Sequence, residues 1–128
     1  MSTAPTIVDE YDAIAKTIQH YLNGAKSGRS DEMKPAFHQD ATMFGYVGAD
    51  LLTGPIQHLF EWNDGSGPSI GVQARLASVD VTGTIATVRV EIDNWAGHQF
   101  TDMFLLLKVD GQWLIVNKVF HLHESSAL

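Results

Sequence analysis

The stretch His98–His123, HQFTDMFLLLKVDGQWLIVNKVFHLH, constrains this chain more than any other. It reads as two long strands, Gln99–Val109 and Gln112–Leu122, joined by Asp110-Gly111. An Asp-Gly pair between apolar runs is the strongest short-range hairpin signal, because both central positions of a type I′ turn need positive φ. Apolar residues fill both strands without alternating: Met103 to Leu107 on one, Leu114 to Val116 on the other. A strand that is apolar on both sides has to be covered on both sides. One face is therefore expected against the chain's own helices, and the other against a second chain or a further layer.

The remaining constraints are mostly exclusions. A length of 128 residues fits a single domain over 1–128 that buries about two-thirds of its unfolded surface. Eight basic against fifteen acidic side chains give a formal charge of −7. Nucleic acid and anionic membrane are poor partners for such a surface, since both require a basic patch to displace counterions. The absence of cysteine rules out disulfides, thiolate zinc sites and cysteine nucleophiles. The opening MSTAPTIVDEYDA has no basic segment followed by an apolar core, and no apolar run approaches the ~20 residues that span a bilayer. A cytoplasmic protein is the default expectation.

Ahead of the hairpin, residues 1–5 read as a short disordered lead. Thr6 can cap a helix, with Asp9 and Glu10 in its first turn. Ile7, Tyr11, Ile14, Ile18, Tyr21, Leu22 and Ala25 recur at helical spacing, predicting helix one over 7–26. Ser30-Asp31-Glu32 opens a shorter second helix, with Met33 and Phe37 facing inward and Pro35 tolerated near its start. A turn and a short strand follow over residues 38–45, then a strand stub at Leu51-Leu52. Thr53-Gly54-Pro55 reads as the start of helix three, with Ile56, Leu59, Phe60 and Trp62 on its apolar side. The segment Asn63–Pro68 reads as loop. From Ile70 the period changes to two, and residues 70–81 and 84–95 form a second hairpin about Thr82-Gly83. Three helices followed by long antiparallel strands make an α+β fold, the helices on one side of a bent sheet.

Several phrases now add to that order of elements: AFHQDATMFGYVG at 36–48, LASVDVTGTIATVRVEI at 76–92 and FTDMFLLLKVDGQWLIVNKVFH at 100–121. On these the chain resembles the nuclear-transport-factor-2-like superfamily, also called SnoaL-like or ketosteroid-isomerase-like. Within it, the chain is most similar to the small bacterial proteins labelled lumazine-binding. The resemblance implies a cone-shaped fold in which a curved, mostly antiparallel sheet wraps helix one and leaves a pocket at its open end. It also implies a homodimer through the sheet's outer face. Steroid-isomerase-type relatives keep a base on the strand after helix two and an acid on the strand before the final turn. Counted back from Asp110-Gly111, the acid's place falls on Leu105 and the base's on Phe44 or Gly45, so neither carboxylate is present.

Candidate site residues follow from chemistry as well as resemblance. His38, two residues before Asp40, is placed at the mouth of the cone as a candidate general base, or else as a loop fastener. Asp102 stands in an apolar strand, where a charge needs a partner, and is a candidate catalytic acid or half of a structural ion pair. Lys118 is nearly opposite it. Strict pairing through Asp110-Gly111 sets Asp102 against Val119 and Lys118 against Met103, on opposite faces; a bulge would change that. Arg75, on the otherwise apolar face of the second hairpin, could recognise an anionic ligand. Tyr11, Ile14, Ile18, Phe44, Trp62, Trp95 and Phe120 are the expected cavity wall, a surface suited to flat heteroaromatic molecules. His121 and His123 point to one side of a strand, yet the sequence offers no carboxylate to orient their rings, so neither metal nor other cofactor is expected.

Three functions stay open at this stage. The first is a homodimeric protein that binds a small apolar or heteroaromatic molecule, such as a pterin or lumazine. The second is a small isomerase, dehydratase or hydrolase with His38 as base and Asp102 or Tyr11 assisting. The third is a protein–protein module with a vestigial pocket. A fold of this kind hosts many activities and cannot choose among them.

Overall fold

In a computed structural model, residues 4–123 are described; residues 1–3 of the expected lead lie outside them. Helix α1 covers Ile7–Ser27, α2 covers Ser30–Met33, and a 3₁₀ turn follows at Lys34–Ala36. Strands β1 (Phe37–Val47) and β2 (Asp50–Pro55) precede helix α3 (Gln57–Ser66). Strands β3 (Gln73–Thr82), β4 (Ile85–Trp95), β5 (His98–Val109) and β6 (Gln112–His123) complete the chain. The six strands form one curved sheet in the order β2-β1-β6-β5-β4-β3, antiparallel except where β1 pairs with β6. The hairpin that dominates the sequence is thus the middle of the sheet. Asp110 and Gly111 both take positive φ, 49° and 80°, as the tight turn requires.

Thr6 caps α1 as expected: its hydroxyl accepts from the Asp9 amide, and the Asp9 carboxylate accepts from the Thr6 amide. Only the later part of the apolar stripe is covered. Ile14, Ile18, Tyr21 and Ala25 are buried against the sheet, whereas Ile7 and Tyr11 are exposed at the helix start. That start is held instead by an ion pair of 2.7 Å between Glu10 and Lys108 of β5.

Several boundaries differ from the sequence reading, each for a local reason. Phe37 is buried, but as the first residue of β1 rather than inside helix two. The strand after it is eleven residues long because parallel pairing to β6 holds it as far as Tyr46. Thr53-Gly54-Pro55 continues β2 against β1, with Thr42 opposite Pro55, so α3 begins two residues after the proline. Helix α3 runs on through Ser66, because Asn63 is anchored rather than solvated. Its side chain donates to the Gly24 carbonyl and accepts from the Trp95 indole, tying α1, α3 and β4 together. The second hairpin turns on Gly83-Thr84, with Thr82 opposite Ile85. Among the described residues no helix is long and apolar enough to cross a membrane.

Candidate functional site

One extra residue in β6 decides what faces inward. From Val109 opposite Gln112 to Leu106 opposite Ile115 the β5–β6 ladder is regular; Leu105 then pairs with Asn117, and Val116 is left over. Such a bulge moves every later residue of the strand to the other face. Trp113 and Ile115 are buried before it, Lys118 and Phe120 after it. Phe104 now stands opposite Lys118 and Asp102 opposite Phe120. Asp102 and Lys118, which strict pairing would hold apart, therefore share the inner face.

Both are almost fully buried, and Tyr21 of α1 joins them. The Tyr21 hydroxyl donates to Asp102 Oδ2 at 2.5 Å. Lys118 Nζ lies 3.8 Å from Asp102 Oδ1, too far for a hydrogen bond. Oδ1 has no hydrogen-bond partner among the described residues. The rings of Phe120, Trp95 and Tyr21 surround Nζ at 5.0, 5.5 and 5.7 Å. Burial dominates the ionisation of all three groups. It pushes the Lys118 ammonium below the ordinary lysine range against the opposing pull of Asp102. It raises the Asp102 carboxyl, although Lys118 and the Tyr21 hydrogen bond work the other way. It also raises the Tyr21 phenol, and the neighbouring carboxylate adds to the effect. The pair is thus displaced from ammonium–carboxylate toward amine and acid.

Lys118 lies on the wall of a cavity of about 640 Å³ between α3 and the sheet. Strands β1 and β2 contribute Met43, Val47, Leu51 and Leu52, and α3 contributes Leu59 and Trp62. Trp95, Phe100, Phe120 and Leu122 close the sheet side. Trp62, Trp95 and Phe100 stack edge-to-face with centroids 5.1 to 6.0 Å apart, a rigid aromatic wall. Phe120 is seated over Gly45, where a Cβ would lie 2.5 Å from its ring. The polar rim is Asp50, His58, Glu61 and His98.

Four of the expected ligand residues, Trp62, Trp95, Lys118 and Phe120, meet at this cavity, with Asp102 behind Lys118. The others lie elsewhere. Ile14 and Ile18 are core residues beneath the sheet, and Tyr11 is on the exposed start of α1. Phe44 is exposed on the outer face, paired with Val119. Arg75 is also outside: a bulge at Ala77 shifts the register, so Arg75 pairs with Glu91 rather than continuing the inner row of Val79 and Val81. His38 lines a separate recess with Lys34, Phe60 and Asp64, its Nδ1 accepting from the Asp40 amide. His121 and His123 stack on each other, and His123 meets Thr101; among the described residues no cluster of three or more candidate metal ligands forms.

Leu105, the place counted for the acid, is half exposed on the outer face; the buried acid of β5 is Asp102, three residues earlier. Tyr21 and Asn63 were legible only as a stripe residue and a loop residue. A lone carboxylate inside an apolar strand is the signal that a buried donor such as Tyr21 must exist.

The curved sheet wrapped on α1, with its cavity under α3, defines a nuclear-transport-factor-2-like protein. The chain belongs to the family described as "Putative lumazine-binding", which matches residues 9–121. A crystal structure of a nuclear-transport-factor-2-like protein of unknown function from Shewanella baltica is 43% identical. It superposes with a TM-score of 0.91, over 95% of this chain and 100% of that one. A second, from Methylobacillus flagellatus, is 49% identical with a TM-score of 0.88, over 96% and 98% of the two chains. The Aldolase FrzH of Cladobotryum sp is 35% identical over 113 residues, 88% of this chain and 90% of the aldolase.

Proposed function

We propose that the protein binds a small, largely apolar or heteroaromatic molecule in the cavity under α3 and acts as a homodimer. The observation that carries the reading is an aromatic-walled hollow with one buried amine on its wall, the composition expected of a small-molecule site. The family's lumazine-binding description supports a flat heteroaromatic ligand. Dimerisation is supported by the outer face, where Phe44, Val119, Met103, Leu105, Leu107 and Ile85 are exposed on neighbouring strands. Apolar patches of that extent mark association surfaces. The charge of −7 argues against nucleic acid or anionic membrane as a partner, and we take the setting to be cytoplasmic.

Titration with lumazine and with a flavin, followed by thermal melting and by the fluorescence of Trp62 and Trp95, tests the binding. A saturable quench with a raised melting temperature is expected. No response to any flat heteroaromatic probe would overturn the heteroaromatic part of the reading.

A second reading, a small enzyme, is favoured by the Tyr21–Asp102–Lys118 group and by the 35% identity to an aldolase. In it the proton-handling groups next to the cavity are Asp102 and Lys118, while His38 serves a different recess. Turnover of a carbonyl substrate lost in both Asp102→Asn and Lys118→Met would support it; turnover lost only in His38→Ala would return the role to His38.

A further inference from the structure

We propose that Lys118 is a nucleophile: its side-chain amine condenses with an aldehyde or ketone held in the cavity to give an iminium, with Asp102 as proton donor. The inference rests on the reading of the cavity as a small-molecule site and names the class of molecule it takes, a carbonyl compound with an apolar body.

The geometry is what the step requires. Lys118 lines the cavity, and its acidic neighbour stands 3.8 Å from Nζ rather than in a hydrogen-bonded clasp. Asp102 Oδ2 is occupied by Tyr21, which leaves the unpartnered Oδ1 as the oxygen facing Nζ. A lysine in an apolar enclosure is readily neutral and therefore nucleophilic. The step begins from the amine and the carboxylic acid, the forms toward which burial shifts both groups.

The step balances without any further reactant. The Nζ lone pair forms a bond to the carbonyl carbon, and the carbonyl π pair moves to oxygen. One proton passes from nitrogen to that oxygen and a second comes from Asp102. Water leaves as nitrogen and carbon form a double bond. Amine, acid and carbonyl thus become iminium, carboxylate and water. The cation so formed stands 3.8 Å from a carboxylate and within 5.0 to 5.7 Å of three aromatic rings. Both stabilise positive charge. The other lysines lack that enclosure: Lys34 pairs in solvent with Asp31, Lys108 pairs with Glu10, and Lys16 and Lys26 are exposed.

The titratable groups packed about Lys118 are Asp102 of β5 and Tyr21 of α1. Farther along the cavity stand Asp50 of β2, His58 and Glu61 of α3, and His98 of β5. Glu91 of β4 acts on Asp102.

The full chain is incubated with cinnamaldehyde and cyanoborohydride, which fixes an iminium as a secondary amine, and adducts are mapped by peptide mass spectrometry. One adduct per chain at Lys118 is expected at neutral pH, with its excess over surface lysines shrinking as pH rises into the ordinary lysine range. Asp102→Asn, which keeps the amine and removes the acid, is expected to slow trapping by about a hundredfold. Lys118→Arg should abolish it, with circular dichroism showing the fold retained; should that variant unfold, the mapped position of the adduct in the native chain still decides. Cinnamyl alcohol, which cannot form an iminium, separates binding from chemistry. If the alcohol quenches Trp62 and Trp95 but the aldehyde gives no adduct at Lys118, the nucleophile assignment is overturned and the binding site stands. If neither compound is bound and labelling is confined to surface lysines, the small-molecule reading falls and the nucleophile with it.

Discussion

Lys118 Nζ stands 3.8 Å from Asp102 Oδ1 because Val116 is left out of the ladder between their strands. Neither group is exposed at the surface, and neither makes a full hydrogen bond to the other. An arrangement of that kind contributes little net stability, yet removal of one partner strands the other in an apolar site.

A double-mutant cycle on this pair should therefore be strongly non-additive. Lys118→Met alone is expected to destabilise the fold by about 3 kcal/mol. Lys118→Met combined with Asp102→Leu should recover most of that loss. Urea unfolding of the four proteins measures it, and additive effects would contradict the coupling.

The central hairpin offers a sharper test of its two faces than sequence alone could. Leu105 is 50% exposed on the outer side, and Leu106 is 2% exposed on the inner side. Leu105→Asp is expected to leave a folded protein that elutes as a monomer. Leu106→Asp should lose the fold itself, at a cost of several kcal/mol for an unpaired buried charge. Size-exclusion chromatography with circular dichroism distinguishes the two outcomes; an unchanged elution volume for folded Leu105→Asp would remove the outer face as the association surface.

Tyr21 should dictate the alkaline limit. Its folded pKa is raised, first by burial and then by Asp102, above the ordinary phenol value near 10. A raised pKa contributes stability that is complete below the unfolded value and is lost as pH climbs through the folded one. Phenolate absorbance should accordingly show Tyr21 ionising only as the fold opens. Tyr21→Phe should move the onset of alkaline unfolding to higher pH while lowering stability at neutral pH through the lost hydrogen bond to Asp102.

Gly45 sets the position of the Phe120 ring. Gly45→Ala places a methyl 2.5 Å from that ring, so Phe120 must move toward the cavity. A loss of about 1–3 kcal/mol from overpacking is expected. Weaker quenching of Trp62 and Trp95 by lumazine should accompany it, measured by the same titration that tests the native protein.

The sequence made the hairpins, the capped first helix and the sheet-over-helix architecture legible, because alternation, Asp-Gly and Thr6 with Asp9 are local signals. What it withheld were features set by partners far along the chain. Asn63 reads as loop until Trp95 and Gly24 are brought to it. Counting put Arg75 on the inner face and left the face of Lys118 open, and in each strand a bulge breaks the count, at Ala77 and at Val116. Trp62, Trp95 and Phe120 could be picked as wall residues from their places beside loops and strand ends. His38 and Phe44, read as mouth and wall residues, lie instead in a separate recess and on the outer face, where the parallel β1–β6 register sets Phe44 beside Val119.

Val116 acts as a phase setter for the second half of β6. Deleting it would restore an unbroken ladder and turn the end of the strand over, presenting Val119 and His121 to the hollow and handing lysine and phenylalanine to the solvent side. The cavity-facing row and the exposed apolar row are thus written on opposite sides of one ribbon, and a single codon decides which is which.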